Sequence, residues 1–190
     1  DGVFAIAATL LVLDLKVPSS GSGDLLHHLF TGHALIEYAA YAVSFLIIGV
    51  TWMNHHSIFR QVAYVDRTMT MLNLLLLLVI SFLPYPTEVL AKYINTGGAN
   101  AHASAFFYSL VMAVMSVLWA ALWWHCTRDN GARLTHPMTD EQVRKGRIQF
   151  SSSLLIYLPL LGVAFISAPL DLLLQAVLVA YYALDPLRRS

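Results

Sequence analysis

Long apolar runs, separated by short polar segments, make up most of the chain. The first run ends before Pro18 and the flexible Ser/Gly-rich segment 19–23, and a polar stretch over residues 127–147 precedes the fifth. The middle runs approach the roughly 20 residues that a helix needs to cross about 30 Å of hydrocarbon. The sixth run is short and has Asp171 near its start. This pattern predicts an all-α integral membrane protein in which one domain, residues 1–190, contains six transmembrane helices at about residues 2–17, 34–53, 70–91, 101–126, 148–166 and 170–184.

Composition makes the lipid bilayer the main solvent of this protein. Apolar residues account for 58% of the 190 residues and charged residues for 12%, which is about half the charged fraction of ordinary soluble domains. The formal net charge is zero, so we expect no nucleic-acid partner. Cys126 is the only cysteine, which excludes an intrachain disulfide and a multi-cysteine metal site. The chain starts at Asp1 without an initiator Met, so we expect the full protein to continue upstream.

The basic residues predict the orientation, because Lys and Arg are retained in cytoplasmic loops. If the amino terminus lies on the cytoplasmic side, only two basic residues, Lys16 and Lys92, lie in the outer segments, and nine lie in the inner segments. The nine are Arg60, Arg67, Arg128, Arg133, Arg144, Lys145, Arg147, Arg188 and Arg189. We therefore expect a multi-pass protein of the cell membrane with both termini cytoplasmic.

Four positions of the first helix share one face. Ile6, Thr9, Leu10 and Leu13 follow the i, i+3, i+4, i+7 spacing. Ordinary helix packing in a membrane gives the same pattern, so the spacing alone does not choose between packing and a role in function.

Polar residues gather at the predicted cytoplasmic ends of the first two helices. Trp52, Asn54, His55 and His56 close the second span, and Asp1 starts the first. Asp1 is either a plain helix cap or part of an interhelical network with Trp52, Asn54 or His55. Neighbouring histidines on a helix point about 100° apart, which argues against a shared metal ion.

Catalytic signatures are missing from the sequence. It contains no G-x-S-x-G, no H-E-x-x-H, no phosphate-binding glycine loop and no T-V-G-Y-G filter. We therefore expect no enzyme, no catalytic residues, no cofactor and no bound metal. Two alternatives stay open, a secondary transporter and a membrane metalloenzyme that uses His55 and His56.

Three segments resemble the bacterial transmembrane protein 175 family, prokaryotic relatives of the endosomal and lysosomal potassium channel. They are DGVFAIAATLL at residues 1–11, WMNHHSIF at 52–59 and FLPYPT at 82–87. Their order and spacing match along most of the chain.

The resemblance implies a function in potassium transport. It implies a homotetramer of six-helix subunits around a central pore lined by the first helix. The pore would pass monovalent cations, K⁺ among them, through a hydrophobic gate of aliphatic side chains. In this sequence the matching positions are Ile6 and, on the following turns, Thr9, Leu10 and Leu13. Whether Thr9 or Leu10 faces the axis depends on the rotation of the helix.

Overall fold

The protein is built from helices throughout the part of the chain that the structure describes. This computed structural model describes residues 1–15, 25–128, 133–135 and 139–184. Within these ranges the one β pairing is an isolated antiparallel bridge between Val62 and Leu134. The helices are α1 (Gly2–Leu10), α2 (Leu25–Leu29), α3 (Gly32–Phe59), α4 (Arg67–Phe82), α5 (Pro84–Tyr93), α6 (Gly98–Cys126), α7 (Asp140–Val163) and α8 (Ala168–Leu184).

The first helix is shorter than the predicted run to residue 17. After Leu10 the backbone tightens into a 3₁₀ turn, Leu11–Asp14, and Leu15 is extended. Residues 16 and 17, and with them Lys16, lie outside the described residues. The apolar stretch Gly2–Leu13 is therefore a short segment with about three helical turns.

Two helices begin or end beyond the apolar runs that predicted them. α3 starts at a Thr31 cap, whose hydroxyl accepts the amide of Ala34, and continues past Met53 to Phe59. α7 starts at Asp140 rather than near residue 148, because Thr139 and Gln142 form a reciprocal capping box. Polar residues therefore extend both helices beyond their apolar segments.

The third predicted span is a pair of helices joined at Leu83. Pro84 and Pro86 open α5 and carry no amide hydrogen, so two backbone bonds of a continuous helix cannot form. The bonding resumes when the Thr87 amide donates to the Leu83 carbonyl over 3.2 Å. Together the two helices make one apolar segment, Arg67–Tyr93.

Three segments of the described chain are long and apolar enough to cross a membrane. They are Ala34–Phe59, Arg67–Tyr93 and Gly98–Cys126, and Gly2–Leu13 and Ala168–Ala183 are shorter apolar helices. α6 is the most buried of them, and it packs against α4, α5, α7 and α8. The fold therefore centres on α6, while α1 packs against α3, α4 and α5.

Candidate functional site

The first helix has one face covered by its own chain and one face that is not. Phe4 and Leu11 are 3% and 0% exposed and belong to the core. On the other face Ile6 is 61% exposed and Leu13 is 74% exposed. Leu10 also lies on the uncovered side. The four sequence-predicted positions therefore remain together on a surface that the subunit itself does not bury.

Thr9 is the polar residue of this uncovered face. Its hydroxyl donates to the carbonyl oxygens of Ala5 at 2.9 Å and Ile6 at 3.0 Å, within the same helix. Such a bond uses the single hydroxyl hydrogen and leaves the oxygen with acceptor capacity. The exposed oxygen of Thr9 can therefore bind a cation or a water hydrogen.

A hydrogen bond between helices holds the start of α1. The indole Nε1 of Trp52 on α3 donates to Asp1 Oδ1 over 2.9 Å. Trp52 also stacks on the ring of His56 at a centroid distance of 5.8 Å. Of the polar residues considered from the sequence, the structure brings Trp52 to Asp1, while Asn54 is half-buried on the same helix.

His55 joins α3 to α4 instead of meeting Asp1. Its Nε2 lies 2.7 Å from Asn73 Oδ1, and its ring stacks on Phe59 at 4.3 Å. The Phe4 ring lies 5.2 Å away, so His55 also contacts the buried face of α1. Sequence reasoning missed Asn73, although one amide inside a leucine-rich membrane helix is a signal for a polar partner.

His55 and His56 are engaged separately, one with Asn73 and one with Trp52. Among the described residues no three His, Cys, Asp or Glu side chains come together as a metal-binding group.

A charged cluster ties the α3–α4 turn to the segment that follows α6. Asp66 caps α4 by accepting the Met69 amide at 2.8 Å. The same carboxylate accepts from His125 Nε2 at 2.8 Å and from Arg133 Nε at 2.9 Å. The Met69 amide and the Arg133 guanidinium hold the pKa of Asp66 well below its usual range, and His125 adds to this effect. The sequence carried a signal that was missed, since an aspartate directly before an apolar helical run is a common N-cap.

Backbone bonds reinforce the same junction. The Ala63 amide donates to the Arg133 carbonyl at 2.7 Å, and the Thr135 amide donates to Gln61 at 2.8 Å. These bonds flank the bridge between Val62 and Leu134. The junction therefore fixes the end of α3 relative to the end of α6.

These features define a class of protein. The chain is a helical membrane protein whose first helix is anchored at its start by Trp52 and keeps an apolar face with one threonine uncovered.

The chain belongs to the TMEM175 family. The family model described as the endosomal/lysosomal potassium channel TMEM175 matches residues 1–84, the part that contains Asp1, Trp52, His55 and Asn73. A protein named as a potassium channel in Streptomyces collinus is 48% identical over 187 residues, which cover 97% of this chain and 88% of that protein. A second protein named as a potassium channel, from Chamaesiphon minutus, is 34% identical and is matched over 97% of this chain and 90% of its own length.

The fold agrees with a solved structure of the family. The crystal structure of a lysosomal potassium-selective channel TMEM175 homolog from Chamaesiphon minutus superposes with a TM-score of 0.80 at 33% identity. The match covers 97% of this chain and 92% of that chain.

Proposed function

We propose that this protein is a potassium channel in which four copies of the chain surround one pore lined by α1. The single observation that carries the proposal is the uncovered face of α1, on which Ile6, Leu10 and Leu13 are exposed in the isolated subunit. Relatives that match nearly the full chain are named as potassium channels. Assembly of four copies around α1 would cover this face and give the exposed residues a common axis.

Each subunit would cross the membrane six times. The six segments are α1, α3, the α4–α5 pair, α6, α7 and α8. The excess of Lys and Arg in alternate connections, nine against two, supports cytoplasmic termini in the cell membrane. In this orientation the Asp1–Trp52 bond and the Asp66 cluster lie on the cytoplasmic side.

The proposed gate is a neck of aliphatic side chains contributed by Ile6 and Leu13. A narrow apolar neck loses its water, and the ion then cannot pass because it would be stripped of hydration. A small widening lets water return, and K⁺ crosses with part of its hydration shell. Conduction is passive in this mechanism, and it needs no cofactor and no bound metal.

Thr9 would contribute a ring of four hydroxyl oxygens between the apolar rings. Because each hydroxyl hydrogen is engaged by the helix backbone, the oxygen lone pairs are available to a passing cation. The ring would substitute for part of the hydration shell. A neck of this kind discriminates K⁺ from Na⁺ less strictly than a filter of backbone carbonyls, so we expect a moderate preference.

Cation flux through liposomes that contain the purified protein tests the proposal. We expect passive K⁺ flux that rises with the gradient without saturating, and we expect Ile6→Asn and Leu13→Ala to increase it. Leu78→Ala is the control, because Leu78 is also a largely exposed leucine but belongs to α4 and not to α1. Saturating flux, or equal responses of Leu13→Ala and Leu78→Ala, would contradict a pore along α1.

A further inference from the structure

A buried carboxylate lies between α6 and α8, away from the uncovered face of α1. Asp171 is completely buried, and both of its oxygens lie 2.9 Å from the hydroxyl of Ser109. Gln175, one turn further along α8, donates through Nε2 to the same hydroxyl at 3.0 Å. All three side chains are buried, so water does not complete their hydrogen bonding from outside.

The cluster of Asp171, Ser109 and Gln175 has too few donor hydrogens for its acceptor oxygens. The one hydrogen of Ser109 is shared between the two carboxylate oxygens, and among the described residues no other side chain donates to Asp171. Gln175 Oε1 is buried and accepts no hydrogen bond from the described residues, although it belongs to the amide that contacts Ser109. A buried acceptor without a donor is costly, and a buried charge without a partner costs more.

No cation compensates Asp171 within the described residues. The hydroxyl of Ser109 contacts its buried carboxyl group, and a hydroxyl carries no charge. Among the described residues, the titratable side chains that interact electrostatically with Asp171 are the phenols of Tyr108 on α6 and Tyr157 on α7, and a phenol carries no positive charge. α3, which also packs against α8, contributes the neutral Ser44 next to Tyr108, and Glu37 of α3 is half-buried nearer its start.

The amino terminus of α8 favours a negative charge, but Asp171 receives only part of this effect. The side chain of Ser167 already accepts the Leu170 amide at 3.3 Å, and the Asp171 amide donates to the Ser167 carbonyl. A helix terminus offsets a small fraction of the cost of burying a carboxylate. The remaining cost is removed if the group carries a proton.

We propose that Asp171, Ser109 and Gln175 form a proton-binding site inside the subunit, in which the neutral acid form of Asp171 holds α8 against α6. In the acid form the carboxyl group carries no charge and donates to Ser109, which releases the serine hydrogen toward the amide of Gln175, so that the buried Oε1 can gain a donor. An amide presents its oxygen or nitrogen at the same place after a half-turn, so no helix has to move. Loss of the proton would place an unpaired charge between the two helices.

Infrared spectroscopy of the full chain in liposomes tests the site directly. At neutral pH we expect the carbonyl-stretch band of a protonated carboxylic acid, and we expect Asp171→Asn to remove it. Glu37→Gln is the control that should keep the band. A spectrum in which wild type and Asp171→Asn do not differ in this region would overturn the proposal.

A second variant keeps the test decisive if Asp171→Asn does not fold. Ser109→Ala retains the carboxyl group but removes its hydrogen-bond partner, so the band should move to higher frequency. An unchanged band position would overturn the proposed contact.

A flux measurement gives the functional consequence and rests on the proposed channel function. Wild-type K⁺ flux should fall at alkaline pH, and Asp171→Asn, which is permanently neutral, should keep its flux there. If both proteins lose flux equally at alkaline pH, the site does not regulate conduction. Absence of K⁺ flux at every pH would count against the channel instead, while the infrared result would still decide the proton site.

Discussion

Trp52 and Asp1 are joined across two helices by an indole–carboxylate hydrogen bond of 2.9 Å. Asp1 lies directly before α1, so the bond holds this end of the proposed pore helix against α3. Trp52 is itself held by stacking on His56. A change at this bond should therefore alter the position of α1 more than it alters the fold.

Trp52→Phe should change K⁺ flux while lowering stability only slightly. The substitution keeps an aromatic ring on α3 but removes the indole donor, and the hydrogen bond is worth about 1 kcal/mol at an exposed site. Thermal unfolding in detergent and liposome flux would measure the two effects. Trp124→Phe is the control, because Trp124 Nε1 donates to Ser151 at 3.3 Å on the α6–α7 side. Equal flux changes in the two variants would show that the Asp1 bond has no special role.

The Asp66 cluster predicts a loss of stability in acid. The pKa of Asp66 in the folded protein lies well below that of the unfolded chain, so folding is favoured while the carboxylate is charged. This contribution is present above the ordinary aspartate pKa of about 3.9 and is lost as the pH falls below it toward the lowered pKa. The midpoint of thermal unfolding, measured from neutral pH downward, should therefore decrease in this window.

Asp66→Asn isolates this effect from the other carboxylates. Asparagine is also a good N-cap, so α4 should still begin at the same place while the charge is lost. The variant should be less stable than wild type at neutral pH, and the difference should shrink in acid. Glu141→Gln is the comparison variant. Lys145 also lowers the pKa of Glu141, but both side chains of this pair are exposed, and exposed ion pairs contribute little to stability. A constant difference between Asp66→Asn and wild type across the pH range would contradict the role of the charge.

The apolar runs predicted an all-helical chain but not the polar ends of its helices or the break of the third run into two helices at Leu83. The run near residue 148 missed the first eight residues of α7, because Thr139 and Gln142 start that helix through a capping box rather than through apolar side chains. A capping box is recognised from the residue types at the N-cap and three positions later, and a hydropathy pattern does not show these residue types.

The candidate site was only partly accessible from the sequence. The face with Ile6 and Leu13 follows from helical spacing, and its exposure required the packing of α1 against three other helices. Partners such as Asn73 for His55, 18 positions away, depend on how α3 and α4 lie side by side. Such a contact is set by the tertiary structure, and a single sequence considered alone does not reveal it.

The Thr9 hydroxyl should contribute to conduction through its oxygen. Thr9→Val keeps the shape of the side chain and removes the oxygen, so K⁺ flux should fall about fivefold, which corresponds to about 1 kcal/mol. Thr9→Ser keeps the oxygen and should retain most of the flux. Liposome flux at a fixed K⁺ gradient measures both. If Thr9→Val and the wild-type protein showed equal K⁺ flux, Thr9 would not line the conduction path.

Gly146 of α7 should be required for the close packing of α6 and α7. A Cβ at this position would lie 2.6 Å from Nε1 of the buried Trp123 indole, closer than atoms can approach. Gly146→Ala should therefore push the two helices apart and cost about 1–3 kcal/mol of stability. Gly162→Ala on the same helix is the matched control, since a Cβ added at Gly162 would have no described atom of a neighbouring element within 4 Å. Because alanine is the better helix former, the control should be as stable as wild type or more so. Unfolding in detergent, followed by tryptophan fluorescence, measures both variants, and equal midpoints for the two would mean that α6 and α7 are not in close contact at Gly146.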